Sequence, residues 1–267
     1  MRHVSESQQF DRDLLQLLFT DADRLEKEKD DSMRGKILAS LFYEPSTRTR
    51  FSFESAMLKL GGQVLSTENA REFSSAAKGE TLEDSVRVVS GYADVIVLRH
   101  PENDAAERAA KVAEVPLINA GSGTGQQPTQ ALLDLYTIAR EHGHIDGLSI
   151  ALVGDLKHGR TVRSLVYLLG KFSNIRIIFV SPKELQVGQD IKEYLDRHGI
   201  SYAETEDIQQ AIGRVGVLYQ TRIQKERFAD AAQYEKLAHS YRIDTSLAGQ
   251  MRRGAIIMHP LPRVGEI

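Results

Sequence analysis

The stretch Phe42-Tyr43-Glu44-Pro45-Ser46-Thr47-Arg48-Thr49-Arg50 decides the fold. It follows the apolar run Ile37–Phe42, which reads as a buried strand. Proline turns the chain, and Thr49–Leu60 then sets Phe53, Ala56, Met57 and Leu60 on one helical face before Gly61-Gly62 stops it. A buried strand passing through a short turn into a helix is the unit of a parallel α/β sheet. The same turn has a chemical reading. A helix N-terminus offers unpaired N–H groups and the positive end of a dipole, so it attracts anions. The hydroxyls of Ser46, Thr47 and Thr49 add donors, and Arg48 can fork onto a phosphate.

Outward from this stretch the alternation repeats. Strands are expected at Val64–Ser66, Asp94–Arg99 and Val115–Asn119, and helices at Thr81–Ser90, Asp104–Ala113 and Pro128–Glu141. Asn69–Gly79 is polar and reads as a long loop, Gly121–Gln127 as a glycine-rich one. The pattern then restarts. Strands are expected at Leu148–Val153, Arg176–Val180, around Tyr202, at Val215–Tyr219 and at Ala255–Met258. Helices are expected at Arg160–Phe172, Ile191–Arg197, Ile208–Gly213 and Gln233–His239. The fold class is therefore α/β, two doubly wound parallel-sheet domains, 1–141 and 142–267, with a polar hinge at His142–Gly147. Open parallel sheets bind ligands at the carboxyl ends of their strands. The unusual residues cluster in those loops.

Composition narrows the function. The 267 residues are 41% apolar and 27% charged, the balance of a globular chain that buries a core. The net charge of −3 gives no reason to bind nucleic acid, and no apolar run approaches the ~20 residues of a membrane span. Cysteine is absent, which removes disulfides, thiolate nucleophiles and zinc–thiolate sites. With no apolar leader after Met1, the expected compartment is cytoplasmic. Gly121-Ser122-Gly123-Thr124-Gly125 lacks the spacing of a dinucleotide loop.

Further blocks join the first: Lys78-Gly79-Glu80-Thr81-Leu82-Glu83-Asp84-Ser85, Arg99-His100-Pro101, Pro128-Thr129-Gln130, Gly154 to Val162, Thr221 to Arg227, and His259-Pro260-Leu261-Pro262-Arg263. Together, across residues 36–267, they resemble the aspartate/ornithine carbamoyltransferase family. The ornithine-directed members carry His-Cys-Leu-Pro in the last block; His-Pro-Leu-Pro here resembles the aspartate-directed ones. The resemblance implies transfer of the carbamoyl group of carbamoyl phosphate to L-aspartate, in pyrimidine biosynthesis, with no cofactor and no metal. It implies that Ser46, Thr47, Arg48, Thr49 and Arg99 hold the phosphate, with Thr49 and Arg99 also facing the carbonyl oxygen. It implies that Gln130 and the backbone at Pro260 and Leu261 hold the carbamoyl nitrogen, and that Arg160, Arg222 and Gln224 clamp the aspartate carboxylates. Ser74 and Lys78 reach a neighbouring subunit's site, so a homotrimer with shared sites is implied; regulatory chains would attach outside these motifs.

One position departs from the family pattern. Where the family has histidine before Pro-Thr-Gln, this chain has Gln127, whose amide can still donate one neutral hydrogen bond to the carbonyl. That substitution keeps two alternatives open: a carbamoyltransferase for another amine such as ornithine, and a weakened or non-catalytic homologue. His259 at a strand end is expected to satisfy backbone; beside any functional role, Glu80 has the plainer reading of a cap on the following helix, and Glu44 with Arg48 that of a surface pair. The sequence ends soon after His-Pro-Leu-Pro, where the family continues into closing helices. The expectation is a scaffold lacking them, with apolar surface exposed on the first domain or covered by an N-terminal helix at Phe10–Leu18.

Overall fold

The computed structural model describes residues 2–73, 75–224, 234 and 241–267. It divides into two compact units, Met1–Thr129 and Gln130–Ile267.

The first unit is built on β1 (Ile37–Phe42), β2 (Gln63–Glu68), β3 (Val95–His100) and β4 (Leu117–Ser122), all parallel in the order β2-β1-β3-β4. Because strand side chains alternate, β1 sends Leu38 and Phe42 to one face and Ala39 and Leu41 to the other. Met57 and Phe53 of α2 (Thr47–Lys59) cover the first face. Val86 of α4 (Leu82–Ser90) and Ala105 and Ala109 of α5 (Ala105–Val112) cover the second. Both faces are thus apolar and covered, as a parallel sheet requires. Val4 extends the sheet beyond β4, its N–H donating to Leu117 and its carbonyl accepting from Asn119. Helix α1 (Arg12–Lys27) outruns the expected Phe10–Leu18, because Asp11 caps it by accepting from Leu14 N and no breaker follows. It leaves Leu17, Leu18 and Leu25 exposed; Phe51, Leu58 and Leu65 are exposed on α2 and β2.

Asn69–Gly79, expected as one long loop, contains the short helix α3 (Ala70–Phe73) and a 3-10 turn at Ser75–Lys78. Asn69 initiates α3 from a left-handed backbone (φ +56), accepting from Glu72 N and donating to its carboxylate at 2.7 Å. In the loop after β4, a Cβ on Gly123 (φ +47) would come within 2.6 Å of the Pro101 carbonyl. That glycine lets two loops close against each other.

The second unit carries β5 (Ser149–Val153), β6 (Arg176–Val180), β7 (Ser201–Thr205), β8 (Val217–Gln220) and β9 (Ile256–Met258), parallel in the order β7-β6-β5-β8-β9. Its helices include α6 (Pro128–His142), which begins two residues before the unit does, α7 (Arg160–Leu169), α8 (Gln189–Arg197) and α9 (Gln209–Ile212). Seven of the ten α7 residues are buried, from Val162 to Leu169 with Arg163 the exception. The helix expected at Gln233–His239 lies outside the described residues, apart from Tyr234. Among the described residues no helix is long and apolar enough to cross a membrane.

Candidate active site

Each sheet reverses its winding once. In the first unit the chain goes from β1 outward to β2, then crosses back to β3, so the switch lies between β1 and β3. In the second it goes from β5 through β6 to β7, then crosses to β8. Strand ends diverge at such points and leave crevices. The sequence-predicted residues lie at both.

At the first switch, the Tyr43 N–H donates to the Arg99 carbonyl and locks the two strand ends together. Arg99 is 15% exposed; its Nε meets Glu44 Oε2 at 3.3 Å and its Nη1 donates to Ser46 Oγ at 3.2 Å. Ser46 occupies the N-cap of α2 but makes no side-chain cap, and no acidic residue lies in the first turn. The first-turn amides of α2 therefore receive no side-chain cap from Ser46, unlike those of α1 and α4, which Asp11 and Thr81 cap. Thr47 and Arg48 are exposed on that turn, with Thr49 half-buried. Burial pulls the Arg99 guanidinium below its usual range; Glu44 opposes that shift and the nearby Arg48 charge adds to it. Two guanidiniums close enough to repel are relieved by an anion between them. Glu44 is held by Arg99. Arg50 is taken out of the set, paired with Glu68 at 3.0 Å and donating to Ser66.

Gln127 is buried immediately before α6. Its neighbour Gln126 ties that turn to the N-terminal segment, accepting from Ser7 N and donating to Gln8. Lys78 is exposed at the end of the 3-10 turn, and Ser74 lies outside the described residues. Glu80 accepts from Ser85 Oγ at 2.6 Å, while Thr81 caps α4 through Asp84 N.

At the second switch, Thr221 N and Oγ1 both donate to the Val153 carbonyl, at 2.8 and 3.0 Å. Gly154 (φ +112) lets the strands close this far. Half-buried Arg222 and Gln224 follow Thr221, and half-buried Arg160 opens α7, whose N-cap is Gly159 with no side-chain cap and no first-turn acid. Asp155 is fully buried and accepts from the His158 N–H, with His158 Nδ1 3.1 Å from each oxygen. Lys225, Glu226 and Arg227 lie outside the described residues. After β9, the Leu261 N–H donates to His259 Nδ1 at 2.8 Å, so His259 satisfies backbone as expected. Its Nε2 lies 2.7 Å from Glu266 Oε1. Burial lowers its pKa; Glu266 opposes this, and Arg263 and Arg222 reinforce it. Leu261 sits in the left-handed region (φ +62), which a branched residue adopts only when its surroundings hold it there.

Gln130 donates from Nε2 to Asp134 Oδ1 at 3.0 Å, one turn along α6. The Tyr219 hydroxyl donates to Asp134 Oδ2 at 2.7 Å. Sequence reasoning passed over Asp134 and Tyr219. The available signal was a carboxylate on the face of α6 that also carries buried Ala131 and Ile138.

The chain matches two family models in order: "Aspartate/ornithine carbamoyltransferase, carbamoyl-P binding domain" over residues 2–140, and "Aspartate/ornithine carbamoyltransferase, Asp/Orn binding domain" over 146–267. It is 56% identical over 270 residues to the chloroplastic aspartate carbamoyltransferase of Arabidopsis thaliana, covering 99% of this chain and 69% of that one. It is also 56% identical, over 235 residues, to the aspartate carbamoyltransferase catalytic subunit of Methanocaldococcus jannaschii, covering 88% of this chain and 76% of that one. The crystal structure of aspartate transcarbamoylase from Trypanosoma cruzi with carbamoyl aspartate and phosphate superposes with a TM-score of 0.92 at 40% identity, over 99% of this chain and 86% of that one. These relatives correct the cytoplasmic expectation: those from Arabidopsis thaliana, Pisum sativum and Oryza sativa are named chloroplastic. Compartment is set by address segments that receptors read, and the apolar leader sought after Met1 is only one kind of them.

Proposed function

Because the chain belongs to the aspartate/ornithine carbamoyltransferase family, we propose that it transfers the carbamoyl group of carbamoyl phosphate to the amino group of L-aspartate. The products are N-carbamoyl-L-aspartate and phosphate, as in pyrimidine biosynthesis. The observation that carries this reading is Arg99 drawn onto Ser46 beside the uncapped first turn of α2. It supports a phosphate site at the switch point of the first unit.

The functional boundary lies at 141/142, supported by the ranges of the two family models. Residues 1–141 supply Ser46, Thr47, Arg48, Thr49 and Arg99 to the phosphate. The amine nitrogen attacks the carbonyl carbon, a tetrahedral oxyanion forms, and the carbon–oxygen bond to phosphate breaks with its electron pair leaving on the phosphate oxygen, which can take up the proton the amine sheds. Thr49, Arg99 and Gln127 stabilise the oxyanion, a role worth about 2.7–4 kcal/mol per donor. Gln130 and the backbone at Pro260 and Leu261 bind the carbamoyl nitrogen. Arg160, Arg222 and Gln224 bind the aspartate carboxylates; two guanidinium forks suit a dicarboxylate and repel the ammonium of ornithine. Ser74 and Lys78 serve the site of a neighbouring subunit in a homotrimer, consistent with the exposure of Lys78.

A colorimetric assay for carbamoyl-aspartate, run beside one with ornithine, tests this. Product with aspartate alone, lost in Arg222→Ala, is expected. Product with ornithine, or with neither amine while carbamoyl phosphate still binds, would overturn it.

A further inference from the structure

The Gln130 carboxamide can present either of two chemically opposite ends. A carbamoyl NH2 is a donor and requires an acceptor, so only Oε1 serves it. Nothing in a free glutamine side chain selects that orientation, since the oxygen and nitrogen ends differ by a half-turn about one torsion. We propose that Asp134 is a positioning residue that holds the Gln130 amide with Nε2 turned inward and Oε1 turned to the carbamoyl nitrogen. This rests on the reading of Gln130 as a ligand of that nitrogen.

The geometry supports it in three ways. An ionised carboxylate only accepts, so its Oδ1, 3.0 Å from Nε2, admits the amide's N–H end and repels its oxygen. The carboxylate cannot turn away, because Oδ2 is fixed at 2.7 Å by the hydroxyl of Tyr219, a fully buried residue of β8. Tyr219 is in turn bonded to Thr161 on α7, so three elements of the second unit hold the chain of contacts. Finally, Asp134 is 3% exposed, and burial pushes its carboxyl up to about 6 against two hydrogen bonds. Packing alone is served better there by an apolar residue of similar size. A carboxylate kept at that cost fits a group that must accept and never donate.

A double-mutant cycle in the full chain tests the proposal, with kcat/KM for carbamoyl phosphate read at saturating aspartate. Gln130→Ala and Asp134→Ala are each expected to lose about tenfold or more, the worth of one hydrogen bond. If Asp134 acts through Gln130, the double variant loses no more than Gln130→Ala alone. A purely structural role would instead multiply the two losses, and that result overturns the proposal. Tyr219→Phe removes one oxygen and keeps the core filled, so it decides the matter if Asp134→Ala fails to fold. Its expected loss of a few-fold must vanish in the Gln130→Ala background; a loss that persists, or no loss at all, overturns the proposal. If Gln130→Ala matches the parent chain, the reading of Gln130 itself fails and takes this one with it.

Discussion

Gly154→Ala tests whether the second switch point is held by the closeness of its strands. The glycine has φ +112, and an added Cβ would collide with the Thr221 carbonyl oxygen and lie 2.7 Å from Thr221 Oγ1. Ordinary contact needs about 3.4 Å or more, so Thr221 must retreat by most of an ångström. That breaks its two hydrogen bonds to the Val153 carbonyl, at 2.8 and 3.0 Å. Each contributes about 1 kcal/mol. The left-handed backbone adds about 1–3 kcal/mol for a residue with a side chain. The sum is about 3–5 kcal/mol. Gly147→Ala is the control. Its φ is +79 but nothing lies within 4 Å of the added Cβ, so only about 1–2 kcal/mol of backbone strain applies. Urea denaturation should show the larger loss only in Gly154→Ala. Because Arg222 follows Thr221 directly, the aspartate KM should rise about tenfold or more, as misplacements near 1 Å do. Phosphate affinity, which the proposed function assigns to the first unit, should not change. Equal stabilities for the two variants, or an unchanged aspartate KM, would refute the reasoning.

Three further outcomes are expected. Gln127→His should raise kcat with carbamoyl phosphate and aspartate by several-fold or more, up to the worth of one oxyanion donor, about 2.7–4 kcal/mol; an unchanged or lower rate excludes Gln127 from the carbonyl. Asp134, raised from 3.8 to about 6, binds its proton more tightly folded than unfolded, so it favours folding at pH 4 and ceases to as pH rises through 6. The groups facing it are Gln130 on α6 and Tyr219 on β8, and Tyr219 is itself neutral and shifted upward by burial. Urea midpoints at pH 4 and pH 7 should show the parent chain gaining up to about 3 kcal/mol on Asp134→Asn as pH falls, and no relative gain would refute it. Mixing inactive Lys78→Ala with inactive Arg48→Ala chains should restore part of the activity; no restoration argues that each site draws on a single subunit.

Much of the fold was legible because both sheets are parallel. Runs such as Ile150–Val153 and Val217–Tyr219 are buried on both faces, so they read as unbroken apolar segments between helical patterns. Strand order was not legible: pairing β1 with β3 and β5 with β8 depends on crossovers that no local pattern encodes. Asn69–Gly79 was misread as loop because its short helices owe more to one asparagine turn than to apolar periodicity. Gln130 was singled out by family resemblance, while its partner Asp134 and, beyond it, Tyr219 were hidden by distance. Tyr219 lies 85 residues from Asp134 in sequence.

One failure of a local rule falls on the proposed phosphate site. Ser46 has the composition and place of an N-cap, and the rule asks its hydroxyl to satisfy an amide of the first turn. Asp11 and Thr81 obey that rule at α1 and α4. Ser46 does not: its oxygen accepts from Arg99, and the α2 amides are left for another acceptor. The start of α7 repeats the pattern with Gly159, no cap and no acid, and places Arg160 as its first residue. A helix end without a cap forgoes about 1 kcal/mol, and neighbouring guanidiniums such as Arg48 and Arg99 add repulsion. Both terms change sign when an anion arrives, because the same amides and cations then become its ligands. At each switch point the residue that would have made the helix self-sufficient is missing or turned elsewhere, and it is the guanidinium beside that bare end, Arg99 or Arg160, that suits it to the anion the proposed function requires.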